Sequence, residues 1–129
     1  MMQQFAEEAV RLGRELKVNL DYSEQSLQEV ERLLARFETD ADAAKIDELS
    51  KIWGGYLGEV VRRRFGGEWS IEKYPAGDFL IVTMNVNGAR LFPSMKVHKR
   101  LTEGETDNIW KFYQSVRAKL EAQAGARVQ

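Results

Sequence analysis

The chain has 129 residues, of which 43% are hydrophobic and 30% are charged, a composition typical of a soluble globular protein with one core. Nineteen basic against twenty acidic residues give a net charge of −1, which argues against a broad electrostatic interaction with nucleic acid or a membrane surface. With no cysteine and one histidine, the sequence excludes a disulfide framework, a thiolate metal site and a cysteine nucleophile. We therefore predict a single domain over residues 1–129, without a metal or a cofactor.

The beginning of the sequence, M-M-Q-Q-F-A-E-E, has acids where a secretory signal has a basic segment followed by an apolar one. No apolar run approaches the roughly 18 residues of a membrane span. The lack of cysteine suits a reducing compartment. These features predict a cytoplasmic protein that does not enter the membrane.

Two amphipathic helices are predicted in the first part of the chain. The first covers the first twenty residues, and its apolar side consists of Phe5, Ala9, Leu12, Leu16 and Leu20. Ser23 is a residue favoured as an N-cap and is expected to start the second helix. The buried side of this second helix consists of Leu27, Val30, Leu34 and Phe37. The acidic segment 38–44 is then predicted to be a linker.

Residues 46–69 predict a third helix that carries an unusual line of glycines. Its apolar residues share one broad arc at helical spacing, namely Ile46, Leu49, Trp53, Tyr56, Leu57, Val60 and Val61. Gly54 and Gly58 are four residues apart and form a shallow groove beside this arc. We expect another helix or the sheet to pack closely into the groove, with a ligand cleft as the alternative. Gly66 and Gly67 should end the helix.

Beyond Trp69 the hydrophobic pattern changes to alternation, which predicts three antiparallel strands. They are placed at residues 69–72, 79–86 and 89–92. The dipeptide Asn87-Gly88 predicts a two-residue type I′ turn, which sets Val86 opposite Ala89. One face of the sheet should therefore lie on the helices through Leu80, Val82, Met84, Val86 and Leu91.

Two further helical segments are predicted after Pro93, which ends the third strand. The sequence S-M-K-V-H-K-R-L fits a short helix or turn with Val97 and Leu101 inward. After an acidic loop, Thr106 or Asp107 is expected to cap a final helix. The core face of that helix consists of Ile109, Tyr113, Val116 and Leu120. The predicted fold class is α+β, with three N-terminal helices and a C-terminal helix packed on a three-stranded antiparallel meander.

Glu59 is the first candidate for a functional residue, because it is a lone charge in an apolar and glycine-rich part of the third helix. A buried carboxylate must be paired or protonated. Arg63 at i+4 is the nearest partner, and Arg62, Lys99 and Arg100 are further candidates. An ion pair that joins this helix to a neighbour is the favoured interpretation, and a catalytic or ligand-binding acid is the alternative.

Two basic runs, at residues 62–64 and 96–100, are candidates for an anion site. Three consecutive residues spread over about 200° of a helix, so they cannot all face one ligand, and a solvated surface is the favoured interpretation. The sequence has no glycine-rich phosphate loop after a strand, no G-x-S-x-G and no H-E-x-x-H. No catalytic residue is predicted.

Several segments from the third helix onward form a recognisable set. They are W-G-G-Y-L-G-E at residues 53–59, G-G-E-W at 66–69, Pro93, Val97, K-R-L at 99–101, and Gly104-Glu105 with Asp107. Together they resemble a small bacterial family of unknown function. The resemblance implies a bacterial origin and a shared fold, and it carries over no activity and no catalytic residue. Domains of this size also occur as immunity or adaptor proteins in bacterial gene clusters.

Two functions from different classes remain open. The first is a non-enzymatic protein-interaction module of the immunity or adaptor type, which binds another protein through the exposed sheet face or the glycine flank. The second is a small-molecule-binding protein or an enzyme with an acid/base pocket around Glu59. The candidate binding residues are Glu59, Arg63, Lys99, Arg100, Trp53 and Trp69. An exposed apolar patch would favour the first function, and a concave site where these residues converge would favour the second.

Overall fold

The computed structural model describes residues 2–37 and 42–128, with side chains described up to residue 123. The elements are α1 (Met2–Glu15), α2 (Ser26–Leu34), α3 (Ala43–Phe65), β1 (Glu68–Lys73), β2 (Leu80–Val86), β3 (Ala89–Leu91), α4 (Pro93–Glu103), a 3₁₀ turn (Glu105–Asp107) and α5 (Ile109–Val128). The predicted α+β fold with a three-stranded antiparallel meander is confirmed. Among the described residues, none of the helices combines the length and apolar character that crossing a bilayer requires.

Helix α3 is the centre of the fold. It packs against α1 on one side and α4 on another, and it also contacts β2. Every residue from 52 to 61 is buried, glycines included. This part of α3 has no face open to solvent, because α1, α4 and β2 pack around it.

The glycines of α3 are sites of close packing, as predicted. A Cβ atom on Gly54 would lie 2.5 Å from the Cα of Ser94, so the backbones of α3 and α4 meet there. A Cβ on Gly55 would lie 2.8 Å from the Cβ of Phe5 in α1, and one on Gly58 would overlap the indole of Trp69. The glycine flank is therefore filled by protein, and the alternative of a ligand cleft at this place was wrong.

Helix α1 is shorter than predicted. It ends at Glu15, and Lys17 follows with φ of 63°. The amide of Val18 donates to the carbonyl of Gly13 at 2.8 Å, which is the bond of a Schellman cap. The turn sends Leu20 back into the core and leaves Leu16 48% exposed, so the expected inward position of Leu16 was wrong.

The segments around α2 and the start of α3 also differ from the prediction. The amide of Ser26 donates to Oγ of Ser23 at 3.2 Å, but regular helix begins only at Ser26. Most of the predicted linker 38–44 lies outside the described residues. The carboxylate of Asp42 accepts a hydrogen bond from the amide of Lys45 at 2.7 Å and caps α3, which begins at Ala43. The end of the predicted linker is thus helical.

The sheet has the order β1-β2-β3 and the predicted hairpin register, with Val86 opposite Ala89. Asn87 and Gly88 both have positive φ, 50° and 83°, as a type I′ turn requires. Met84 and Val86 are fully buried on the helix-facing side. Leu80 lies on the same face but is 71% exposed. The expectation that this whole face lies on the helices therefore holds only near the turn.

The last two helices have the predicted core residues. Val97 and Leu101 are buried in α4, and so are Ile109, Tyr113, Val116 and Leu120 in α5. The cap of α5 is Asn108, whose Oδ1 accepts the amide of Lys111 at 3.0 Å. Thr106 and Asp107, the predicted caps, lie in the preceding 3₁₀ turn.

Candidate functional site

Glu59 lies within the core, with only 1% of its surface exposed. Arg62 donates two hydrogen bonds to the carboxylate, from Nε to Oε1 at 2.8 Å and from Nη2 to Oε2 at 2.9 Å. The indole N–H of Trp69 donates to Oε1 at 2.9 Å. Arg63 is a weaker partner, with Nε 3.5 Å from Oε2. Glu59 is ion-paired as expected, and its principal partner is Arg62 at i+3. Because Arg62 lies on α3 itself, the expectation of an ion pair to a neighbouring element was wrong, and Lys99 and Arg100 take no part.

These contacts keep Glu59 ionised. Burial raises the pKa of the carboxyl, but hydrogen bonds from Arg62 and Trp69 and the charges of Arg62 and Arg63 outweigh that effect. As a result, the pKa of the Glu59 carboxyl lies below its ordinary value. A carboxylate that is ionised and fully engaged in this way is a poor general base, since its lone pairs already accept three hydrogen bonds.

Arg63 is held by an aromatic partner rather than by Glu59 alone. Its guanidinium lies 3.6 Å above the centre of the Tyr22 ring, which stacks on Tyr56 at 5.0 Å between centroids. The hydroxyl of Tyr56 is 2.6 Å from Oγ of Ser26. This chain of contacts joins the end of α3 to the start of α2.

Arg100 belongs to a second buried ion pair, separate from the first. Its Nη2 donates to Oε2 of Glu31 at 2.8 Å, and its Nε lies 3.0 Å from both carboxylate oxygens. Oε1 of Glu31 also accepts the amide of Ile109 at 2.9 Å, at the first turn of α5. Glu31 therefore connects α2, α4 and α5. It was not predicted as a site residue, although it follows Leu27 by four positions and precedes Leu34 by three, a spacing that places it on the buried side of α2.

The other two candidates lie apart from Glu59. Trp53 is completely buried, and its indole N–H has no hydrogen-bond partner among the described residues. Lys99 lies in the wall of a small surface cavity. Of the six predicted binding residues, the structure brings together Glu59, Arg63 and Trp69, and it separates Arg100, Trp53 and Lys99 from them.

A concave feature lies elsewhere, between the start of α1, the first half of α3, α4 and the beginning of β2. It has a volume of about 430 Å³. Its lining is mostly apolar and consists of Met2, Phe5, Asp47, Ser50, Lys51, Phe79, Leu80, Ile81, Val82, Ser94, Met95 and His98. Neither Glu59 nor Trp69 contributes to it.

Exposed apolar side chains continue this cavity onto the sheet. Leu80 is 71%, Ile71 59% and Phe79 45% exposed. Ile71 pairs with Val82 across β1 and β2, so it shares the helix-facing side with Leu80. We call the cavity together with Ile71, Phe79 and Leu80 the apolar groove. Sequence alternation identified this face, but it could not show that the helices stop short of its end.

The rim of the apolar groove carries little net charge. Lys51 is paired with Asp47 at 3.1 Å, one turn apart on α3. On the sheet side, Lys73 is paired with Asp78 at 3.3 Å. The groove thus offers an apolar floor and a neutralised rim, rather than an electrostatic attraction for a charged ligand.

A smaller cavity of about 200 Å³ lies next to the apolar groove, and Met95 lines both. The described part of the chain contains no group of three or more histidine, aspartate or glutamate residues placed to hold a metal ion.

The sequence matches no protein-family model, and no curated protein or solved structure is detectably similar to it.

Proposed function

We propose that this protein is a non-enzymatic protein-interaction module, and that its apolar groove takes up an apolar segment of a partner protein. The observation that carries the proposal is the exposure of Leu80, Ile71 and Phe79 beside a cavity of about 430 Å³. Large apolar side chains that lie next to one another on a surface are a common mark of a protein-binding site. Their burial by a partner supplies the driving force for binding.

The chemistry of the groove specifies the kind of segment that it accepts. The apolar floor suits leucine-sized or aromatic side chains, and aromatic side chains are frequent anchors in protein interfaces. Because Lys51 and Lys73 are already paired with acids, the segment needs no particular charge. We therefore expect an affinity that changes little with ionic strength, in contrast to an electrostatically guided complex.

The alternative function, a small-molecule site or acid/base pocket around Glu59, has weaker support. The carboxylate of Glu59 already accepts hydrogen bonds from Arg62 and Trp69. Glu59 lines neither of the two cavities described above. The ion pair with Arg62 lies within α3, and the hydrogen bond from Trp69 joins Glu59 to β1, so both contacts serve the packing of the fold.

We infer an adaptor or immunity protein of the bacterial cytoplasm whose partner is another protein and not a nucleic acid. The supporting observations are the absence of cysteine and the net charge of −1. The resemblance to a bacterial family points the same way.

The test compares partner capture by matched variants. The wild-type protein and the variants Leu80→Ser and Phe79→Ser are used to capture proteins from the cells that encode this chain. Leu16→Ser serves as the control, because Leu16 is also an exposed leucine but lies outside the groove. Circular dichroism confirms that all four proteins are folded, and titration calorimetry with the captured partner then measures the affinity.

We expect each of the two groove variants to bind the partner at least about tenfold more weakly than the wild type does. The Leu16→Ser control should bind it like the wild type. A partner that binds the groove variants as tightly as the wild type contradicts the proposal. Equal weakening in the Leu16→Ser protein contradicts it as well, because the effect would not be specific to the groove.

A further inference from the structure

The smaller cavity, which shares Met95 with the apolar groove, has aromatic walls. Tyr74, Phe92 and Phe112 line it together with Leu91 and Met95. The rings of Tyr74 and Phe92 meet edge to face, with centroids 5.1 Å apart. Such walls suit a flat apolar group, which can pack against ring faces and edges.

Cationic side chains dominate the charge around this cavity. Its lining includes Arg90, Lys96 and Lys99 against one carboxylate, Asp107, in a chain whose net charge is −1. Lys96 is neutralised by Asp107, with Nζ 2.9 Å from Oδ1, and it also lies 5.3 Å from the centre of the Phe112 ring. Arg90 has a partner as well, since its Nε is 3.4 Å from Glu72.

Lys99 differs from these two cations. It makes no ion pair with any side chain in the ranges 2–37 and 42–123, although Asp107 is near enough to be influenced by its charge. The neighbours of Lys99 in the K-R-L segment have structural roles, because Arg100 is bonded to Glu31 and Leu101 is buried. Lys99 is thus the member of this segment whose charge the fold does not use.

We propose that the smaller cavity binds a small organic anion, namely a carboxylate attached to a planar apolar body. The ammonium group of Lys99 pairs with the carboxylate, and the apolar body packs between Phe112 and the Tyr74–Phe92 pair. A charge-assisted hydrogen bond at one end and aromatic contact at the other give such a ligand both affinity and orientation. This site adjoins the apolar groove, since Met95 lines both cavities and Phe79 of the groove stacks on Tyr74 with ring centroids 5.4 Å apart.

The test uses 3-phenylpropionate as the probe and its neutral amide, 3-phenylpropionamide, as the matched ligand. Binding to the full chain is followed by chemical-shift changes of the Tyr74, Phe92 and Phe112 rings. The variants are Lys99→Gln, which removes the charge, and Lys99→Arg, which keeps it. Lys119→Gln is the control, since Lys119 is an exposed lysine on α5 outside the cavity.

We expect the acid to bind at millimolar concentration and the amide to bind on the order of tenfold more weakly. Lys99→Gln should weaken the acid to the level of the amide, while Lys99→Arg and Lys119→Gln should bind it as the wild type does. Three outcomes overturn the proposal. They are no shift in these rings at millimolar acid, equal binding of acid and amide, or equal losses in the Lys99→Gln and Lys119→Gln proteins.

The same carboxylate chemistry occurs in free aromatic acids and at the C-terminus of a peptide that ends in phenylalanine. A tripeptide with a C-terminal phenylalanine, as the free acid and as the amide, distinguishes the two sources. Tighter binding of the peptide acid than of 3-phenylpropionate identifies a chain terminus as the ligand, and weaker binding identifies a small free acid.

Discussion

The indole of Trp69 donates its N–H to Oε1 of Glu59 at 2.9 Å, which joins the first strand to the C-terminal third of α3. The same ring lies over Gly58, where a Cβ atom would overlap it. The absence of a side chain at residue 58 therefore lets the indole approach closely enough to reach the carboxylate of the next residue. The glycine and the glutamate act together in fixing the sheet to α3.

Replacing Glu59 by alanine should destabilise the protein by a few kcal/mol, because Arg62 and the Trp69 indole would lose their buried acceptor. The matched control is Glu29→Ala, since Glu29 pairs with Arg32 at the same i,i+3 spacing on an exposed surface. We expect that control to change stability by less than about 0.5 kcal/mol. Urea unfolding measures both, and equal effects in the two variants would contradict a buried role for Glu59.

The contribution of Glu59 should depend on pH in a defined direction. Its pKa in the folded protein lies below the ordinary value of 4.5. The stabilisation is therefore fully present above pH 4.5 and is lost as the pH falls through the lower, folded-state pKa. We expect the difference in unfolding free energy between the wild type and Glu59→Gln to be constant near neutrality and to shrink in acid. A difference that grows on acidification would mean that the carboxyl is protonated in the folded state.

Gly58→Leu should destabilise the protein by about 1–3 kcal/mol, because its side chain would displace the Trp69 ring. The control is Ala44→Leu, at an exposed position near the start of the same helix. Thermal melts measure the stability, and the fluorescence of Trp69 should change in the Gly58 variant. An unchanged melting temperature in that variant would show that the ring moves away without cost.

The parts of the fold that sequence patterns predicted well depend on local periodicity. The core face of α5 follows from helical spacing, and the pairing of Val86 with Ala89 follows from the two-residue Asn87-Gly88 turn. The end of α1 could not be found in this way. Its capping position is occupied by Lys17 with positive φ, where glycine is the usual signal, so the apolar spacing continued past the true end.

The candidate site was predicted only in part, for a similar reason. Helical spacing allows Glu59 to reach a residue three or four positions later, and only the structure shows that Arg62 is the main partner and that Arg63 turns to Tyr22. The apolar groove depends on where α3 and α4 stop relative to β2, which is a tertiary property. No local pattern in the strand distinguishes Leu80 from Met84.

Arg100→Lys should cost more stability than its conservative appearance suggests. The guanidinium contacts both carboxylate oxygens of Glu31, and a lysine ammonium cannot reproduce that planar, two-point contact. We expect a loss of about 1–3 kcal/mol, whereas the control Lys119→Arg on the surface of α5 should be neutral. Chemical unfolding decides the point, and a neutral result for Arg100→Lys would mean that a point charge is enough for Glu31.

Leu80 and Met84 lie on the same face of β2, four residues apart. Substitution by serine should lower the unfolding free energy strongly at Met84 and hardly at all at Leu80. Met84 is completely buried, so Met84→Ser should cost about 2–5 kcal/mol through the lost apolar burial and the cavity that it leaves. Leu80 is 71% exposed, so Leu80→Ser should change the unfolding free energy by less than about 0.5 kcal/mol. Leu80→Ser should also lower the binding of a fluorescent hydrophobic dye, because Leu80 lines the apolar groove. Urea unfolding and dye titration on the two variants measure these effects, and a large stability loss for Leu80→Ser would mean that Leu80 serves the core and not a partner.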